Sequence, residues 1–287
     1  MQTINELRAW GQKYLENAGV ESSRLDCDVL LMNAAKVDRT ALLIHGQRLI
    51  HDDICERFTH FIEQRAAHKP VQYITKYVEF MSLDFYIDER VLIPRPDSEI
   101  LVEAVIAREK YYETAKGMDV GTGSGCIAVS VAHYLPTTAV LAVDFSADAL
   151  DVARRNAGIN GVTGRVLFDD VDIFSHAFDI TLSNKLDFIM SNPPYIPTAD
   201  IQYLQPNVKD YEPISALDGG DDGLKFYRRL AEVAPNLLAD YGRIYLEIGY
   251  NQGQDVVNIL KDAGFVEIRV LRDLASRDRV VCAVKGE

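Results

Sequence analysis

Met118-Asp119-Val120-Gly121-Thr122-Gly123-Ser124-Gly125-Cys126-Ile127-Ala128 reads as the end of a strand, a glycine-rich turn and the start of a helix. Glycines in such a turn let backbone approach a ligand closely, and the helix N-terminus that follows points N-H groups at negative or polar atoms. The next apolar run, 139–144, closes on Asp144, a carboxylate 19 residues beyond Gly125. An acid in that place commonly accepts both ribose hydroxyls of an adenosine-containing cofactor. A dinucleotide fingerprint spaces its glycines G-x-G-x-x-G, whereas here they fall G-x-G-x-G, and the later strands lack an evident dehydrogenase acid-base pair. The spacing favours S-adenosylmethionine over a dinucleotide; structural glycines beside an unrelated strand-end acid are the plainer alternative.

On either side of this stretch, strand-like runs at 117–120, 139–144, 165–168, 187–191 and 243–248 alternate with helical patterns. Such alternation predicts a parallel sheet covered by helices. Two further β-rich runs, 265–271 and 279–284, are separated by too few residues for a crossover helix and are expected to pair antiparallel at one edge. The expectation is therefore an α/β fold with a seven-stranded Rossmann-like sheet and a reversed edge strand.

Upstream the pattern is helical. Thr3 and Glu6 form a capping-box signature, and Ile4, Leu7, Trp10, Tyr14, Leu15 and Ala18 follow at helical spacing up to Gly19. Leu25, Val29, Leu30 and Met32 suggest a second helix; 52–67 suggests another, with Ile54, Phe58, Phe61 and Ile62 inward and a stop near Pro70. Runs 77–81 and 83–87 read as a β-hairpin linker. After it, Pro94-Arg95-Pro96-Asp97-Ser98-Glu99 opens a helix, with proline and acids in its first turn. The divisions are residues 1–72 as a helical bundle, 73–94 as the hairpin, and 95–287 as the sheet domain.

The run before Asn192-Pro193-Pro194-Tyr195 is apolar, so a buried strand ends in a polar amide and two prolines. An Asn side chain offers one carbonyl acceptor, and the prolines add carbonyls while contributing no N-H. An incoming NH2 group would thus meet the Asn192 side-chain oxygen and the Pro193 carbonyl, with Tyr195 as a flat neighbour. An ordinary strand-ending turn accounts for the tetrapeptide equally well. Asp172-Ile173-Phe174, after the third strand, would lie at the same sheet edge. There Asp172 suits an adenine amino group and Ile173 a ring face; a loop acid beside core side chains is the alternative.

Composition narrows the partners. Net charge is −13, and the excess falls after residue 75, which argues against nucleic acid as the main partner because phosphate binding needs a basic footprint. Cys27, Cys55, Cys126 and Cys282 form no CxxC pair, and the six histidines show no metal-binding spacing. No metal is expected. The start lacks a signal-peptide pattern and no apolar run approaches the roughly 20 residues of a membrane span, so a cytoplasmic protein without a membrane partner is expected.

Taken together, these motifs resemble the HemK-type protein-glutamine N5-methyltransferases, specifically the enzymes that act on peptide chain release factors. The resemblance extends through Tyr211-Glu212-Pro213, Ala216-Leu217-Asp218-Gly219-Gly220 and Arg272-Asp273-Leu274 to Asp278-Arg279-Val280-Val281. It implies a class I methyltransferase sheet, S-adenosylmethionine as donor with S-adenosylhomocysteine as product, and the glutamine of Gly-Gly-Gln in class 1 release factors as acceptor. It maps donor binding to Gly121, Thr122, Gly123, Ser124, Gly125, Asp144 and Asn192, and gives the helical domain to substrate recognition. Many relatives carry Asp-Trp-Phe where this chain has Asp172-Ile173-Phe174, which leaves the adenine wall open. The roles of Arg95 and Glu247 are also left open. Rival readings are a glutamine methyltransferase acting on a ribosomal protein, a nucleic-acid amino-group methylase that shares Asn-Pro-Pro-Tyr, and a protein that binds S-adenosylmethionine without transferring its methyl.

Overall fold

A computed structural model describes residues 1–175, 178 and 185–286. The chain divides into two compact units, the first comprising Met1–Tyr77 with Gln205–Tyr211 and the second Val78–Leu204 with Glu212–Glu287. The first boundary falls five residues beyond the one expected from sequence, because the short helix after Pro70 packs with the bundle.

In the first unit, β1 (Gln2–Thr3) leads into α1 (Ile4–Asn17), followed by α2 (Ser23–Ala35), α3 (Arg39–Ile44), β2 (Leu49–Ile50), α4 (Asp52–Ala66) and α5 (Val71–Thr75). The Thr3 hydroxyl accepts from the Glu6 N-H at 3.2 Å, and the Glu6 carboxylate accepts from the Thr3 N-H at 2.7 Å, so the capping box forms in both directions. Ile4, Leu7, Leu15, Leu30, Leu31, Phe58 and Ile62 make the core of this unit. Leu25, although in helical register, is exposed on α2.

In the second unit, β3 (Val78–Phe80) and β4 (Leu83–Phe85) form the expected antiparallel hairpin. A 3-10 turn at Pro96–Ser98 then precedes α6 (Glu99–Glu109). The sheet elements follow as β5 (Ala115–Val120), α7 (Cys126–Tyr134), β6 (Thr138–Asp144), α8 (Ala147–Ile159), β7 (Val166–Asp170) and β8 (Leu186–Ser191). After the one-turn α9 (Pro206–Lys209), which belongs to the first unit, come α10 (Lys225–Leu237), β9 (Leu238–Glu247), α11 (Gly253–Asp262), β10 (Phe265–Arg272) and β11 (Asp278–Lys285). The strand order is β10-β11-β9-β8-β5-β6-β7.

Strands β5 to β9 pair in parallel, while β11 is antiparallel to both β9 and β10. The reversal therefore falls on β11, one strand in from the edge that β10 forms. The central strands are nearly all buried, as expected where helices cover both faces. Strand order reverses between β5, which continues outward to β6 and β7, and β8, which returns on the other side. Ligand crevices in open α/β sheets open at the carboxyl ends of such strands.

Candidate active site

The cleft sits at that switch point. It encloses about 490 Å³ and is walled from β5 by Val120, Gly121 and Gly123, from β6 by Asp144, after β7 by Asp172 and Ile173, and after β8 by Asn192, Pro193 and Pro194. Residues 90–92 and 213–216, with Lys225 and Phe226, close it from the other side.

The glycine turn is tied to β6. The N-H groups of Gly121 and Thr122 both donate to the Val143 carbonyl, at 2.9 and 3.0 Å, and the Gly123 N-H donates to the Asp144 carboxylate at 2.9 Å. Asp144 also accepts from the Ser146 N-H at 3.0 Å, and burial pushes its carboxyl above the usual range against those bonds. Asp144 thus reaches the cleft already oriented, with acceptor capacity remaining. Thr122, Ser124 and Gly125 do not wall the cleft. The Thr122 hydroxyl turns inward and donates to Asp119 at 2.6 Å, and the Ser124 carbonyl accepts from the buried Asn156 side chain at 2.8 Å. Burial drives Asp119 up to about 7.

Ile173 is buried and faces the cleft beside Asp172, whose side chain accepts from the Phe174 N-H at 2.9 Å. Phe174 meets Phe226 edge-on, with ring centroids 5.2 Å apart, and the Lys225 ammonium lies 4.7 Å from the Phe174 ring centroid. Two aromatic rings at one rim thus accompany Ile173.

The Asn-Pro-Pro-Tyr loop is held from behind. Gln252 donates to the Tyr195 carbonyl at 3.0 Å and to the Gly223 carbonyl at 3.2 Å, while accepting from the Gly249 N-H at 2.9 Å. A Cβ on Gly219 would lie 2.8 Å from the Tyr195 Cα and 2.9 Å from the Pro194 carbonyl, so the Gly219-Gly220 block allows the close approach. Tyr195 itself packs against the hydrophobic core and does not wall the cleft. Its ring is thus not among the cleft walls, where the sequence predicts a flat neighbour for an amide, and its hydroxyl feels the charges of Glu247, Arg279 and Arg95 instead.

Sequence reasoning missed the frame around this loop. The Arg95 guanidinium pairs with the buried Glu212 carboxylate, which also accepts from the Ile93 N-H at 3.2 Å. Arg279 bridges Asp97 at 2.9 Å and Asp273 at 3.0 Å. Ser98, between these two clamps, accepts from the Asn192 amide nitrogen at 3.2 Å. The only signal in the chain was the grouping of Arg-Pro, Tyr-Glu-Pro and Asp-Arg blocks, whose partners lie up to 182 residues apart in Asp97 and Arg279. Among the described residues, no group of three or more His, Cys, Asp and Glu is arranged to hold a metal, and no helix is long and apolar enough to cross a membrane.

Comparison with known proteins agrees with this architecture. The family described as "PrmC N-terminal domain" matches residues 6–75, and "Methyltransferase small domain" matches residues 96–204. A release factor glutamine methyltransferase of Moorella thermoacetica is 42% identical, covering 99% of each chain. Those of Clostridium acetobutylicum and Geobacter sulfurreducens are 41% and 39% identical, covering 91% and 97% of this chain and 91% and 95% of the relatives. Among solved structures, the hMettl16 catalytic domain aligns with a TM-score of 0.55 at 16% identity, over 82% of this chain and 84% of that one. A ribosomal protein L11 methylase from Lactobacillus delbrueckii subsp. bulgaricus aligns at 0.50 and 20% identity, over 70% and 84%. The shared fold is that of class I methyltransferases. On the near full-length identity to its relatives, the chain belongs to the release factor glutamine methyltransferase family.

Proposed function

We propose that this chain transfers a methyl group from S-adenosylmethionine to the N5 side-chain amide of the glutamine in Gly-Gly-Gln of class 1 peptide chain release factors, leaving S-adenosylhomocysteine. The observation that carries this is the meeting, in one cleft, of two groups of residues that would fit a nucleoside and an amide. Gly121, Gly123 and Asp144 form the first, and Asn192 with Pro193 forms the second. Relatives at 39–42% identity named for that reaction support the acceptor.

The residues present fit the donor. A Cβ at Gly121 or Gly123 would enter open space in the cleft, so backbone forms the floor on which a ligand can rest. Asp144 would take the ribose hydroxyls, Asp172 the adenine amino group, and Ile173 one face of the base. When bound, S-adenosylmethionine supplies a methyl group made electrophilic by its sulfonium.

The remaining work falls to the chain. An amide nitrogen is a weak nucleophile because its lone pair is delocalised into the carbonyl. The Asn192 Oδ1 and the Pro193 carbonyl would accept from its two N-H bonds, fix its plane, and raise electron density on nitrogen. Alignment of this kind can lower a barrier by up to about 7 to 11 kcal/mol. As the nitrogen–methyl bond forms and the sulfur–methyl bond breaks, the same two oxygens stabilise the positive charge developing on nitrogen, and one N-H proton is then released to solvent to leave the neutral N5-methylamide. Tyr195 serves beneath the loop, through its carbonyl to Gln252 and its ring in the core.

Residues 1–72 are proposed as the part that docks the release factor, residues 73–94 as the linking hairpin and residues 95–287 as the transferase. Leu43 and Ile44 on α3 are exposed apolar residues suited to such docking. The test is transfer of labelled methyl to a purified class 1 release factor, to its Gln→Asn variant in Gly-Gly-Gln, and to duplex DNA. Label on the first substrate alone is expected; label on DNA, or equal label on both factors, would overturn the assignment.

A further inference from the structure

We propose that Glu247 and Ser98 are positioning residues that hold the Asn192 carboxamide with its NH2 turned inward and its Oδ1 toward the cleft. The site then presents only acceptors, admitting an N-H-bearing amide and excluding a carboxylate. The substrate half of this inference rests on the methyl-transfer reading above; the orientation of Asn192 does not.

Glu247 ends β9 and is 2% exposed. Its backbone is fully occupied elsewhere, its carbonyl accepting from the Tyr227 hydroxyl at 2.9 Å and the residue pairing with Val280 across the sheet. An acid that merely capped the strand would be satisfied by backbone or water. Here Ser98 and Asn192 act on the carboxyl as side-chain partners that favour its ionised form, and its Oε2 is buried without a partner among the described residues. Burial of such an oxygen is costly, and the carboxyl accordingly gives up its proton only near 7.

A carboxamide has two N-H bonds at one end and a carbonyl at the other. The Asn192 nitrogen donates to the Ser98 hydroxyl at 3.2 Å and hydrogen-bonds the Glu247 carboxyl. Once Glu247 is ionised, above about pH 7, turning the group over would set Oδ1 against a carboxylate, acceptor to acceptor. The Ser98 hydroxyl can follow either end, donating or accepting, so ionised Glu247 is the partner that leaves one orientation, with Oδ1 as the free end. Ser98 is fixed in turn by its N-H to the Arg95 carbonyl at 3.0 Å and by the clamps on Arg95 and Asp97. Charged neighbours act on Glu247 from other elements: Arg279 on β11 favours its ionised form, Asp97 opposes it, and burial outweighs both, lifting the carboxyl to about 7.

Two experiments on the full chain separate orientation from reaction. In the 15N-labelled protein the Asn192 side-chain signal is assigned by its loss in Asn192→Asp. At about pH 8, with Glu247 ionised, both of its protons are expected to exchange slowly with solvent. In Glu247→Gln, whose own amide can donate to Oδ1 and so permits the turned-over state, exchange is expected to rise at least about tenfold. Ser98→Ala should raise it too, and it removes less if Glu247→Gln folds poorly. A signal indifferent to both substitutions overturns the inference.

With S-adenosylmethionine and a Gly-Gly-Gln peptide, Glu247→Gln is expected to lose about tenfold to a hundredfold in kcat with donor KM unchanged, as for loss of a hydrogen bond to a charged group. Glu247→Asp should recover part of it. A Gly-Gly-Glu peptide, inert toward the native protein, should become a competitive inhibitor of Glu247→Gln; unchanged kcat and unchanged exclusion of that peptide would refute the positioning role. If the exchange results hold but the native protein methylates no Gly-Gly-Gln substrate, the proposed function fails while the orientation of Asn192 stands.

Discussion

The three glycines of the turn are expected to separate into two classes on replacement by alanine. All three have positive φ, at +72° for Gly121, +54° for Gly123 and +78° for Gly125. Each substitution therefore carries the cost of a left-handed L-residue, about 1 to 2 kcal/mol. At Gly121 and Gly123 nothing lies within 4 Å of the new Cβ, so no further cost of folding arises. At Gly125 the Cβ would lie 2.9 Å from the Ala153 Cβ and 3.1 Å from its Cα, forcing α7 away from α8. Overpacking of that sort adds roughly 1 to 3 kcal/mol, giving about 2 to 5 kcal/mol in all. For a unit of this size that amounts to roughly 4 to 20 °C in Tm.

Binding should follow the opposite order. The new methyl group at Gly121 or Gly123 occupies the floor of the cleft, so affinity for S-adenosylhomocysteine should fall sharply in both. Gly125→Ala, examined well below its lowered Tm, should bind within a fewfold of the native protein. Thermal unfolding and titration calorimetry read the two quantities independently. Equal destabilisation at all three positions, or native affinity in Gly123→Ala, would refute this division of roles.

Asn192→Ala should retain most donor binding while nearly abolishing transfer; calorimetry beside a methylation assay separates these, and unchanged turnover would remove Asn192 from the mechanism. Stability should fall as pH rises from about 4 to about 7, because Asp119 and Glu247 sit near 7 when folded but ionise near 3.8 and 4.5 when exposed. Their folded forms keep a proton that the unfolded chain has already lost, a difference of about 1.4 kcal/mol per unit of separation. Asp119→Asn should flatten that slope in denaturant titrations, and a slope that rises over the window would contradict the assignment. Arg243→Ala should destabilise by about 3 to 5 kcal/mol, since it strips the buried Glu109 of a 2.8 Å partner; denaturant unfolding reads this directly. Leu43→Glu with Ile44→Glu should raise KM for an intact release factor several-fold while leaving a short Gly-Gly-Gln peptide unaffected; equal effects would count against docking there.

What could be read from the sequence was what depends on neighbouring residues. The strand-turn-helix around Gly121, the acid ending β6 and the capping box of Thr3 and Glu6 each lie within a few positions, so spacing exposes them. Tyr195 shows where this stops. An aromatic next to Pro194 invites a place in the pocket, but the loop's direction is set by Gly219, Gly223 and Gln252, far along the chain. Glu247 escaped assignment for the same reason. Its carboxyl matters only once β9 lies beside β8 and the 3-10 turn brings Ser98 across, a juxtaposition no local pattern contains. The adenine wall is left open by the sequence because Phe174 and Phe226, beside Ile173, meet only in the folded sheet.

The position of β11 between β9 and β10 has a consequence for biosynthesis. During translation β10 emerges before β11, yet it has no native partner until β11 arrives, and β9 keeps an open hydrogen-bonding edge through the same interval. Unpaired edges of this kind attract other chains, so the nascent sheet is most prone to aggregation just before its last strand is made. Arg279, which steadies Asp97, and Val280, which pairs with Glu247, both arrive on that strand. The Asn-Pro-Pro-Tyr loop thus gains these supports only after that strand has been made.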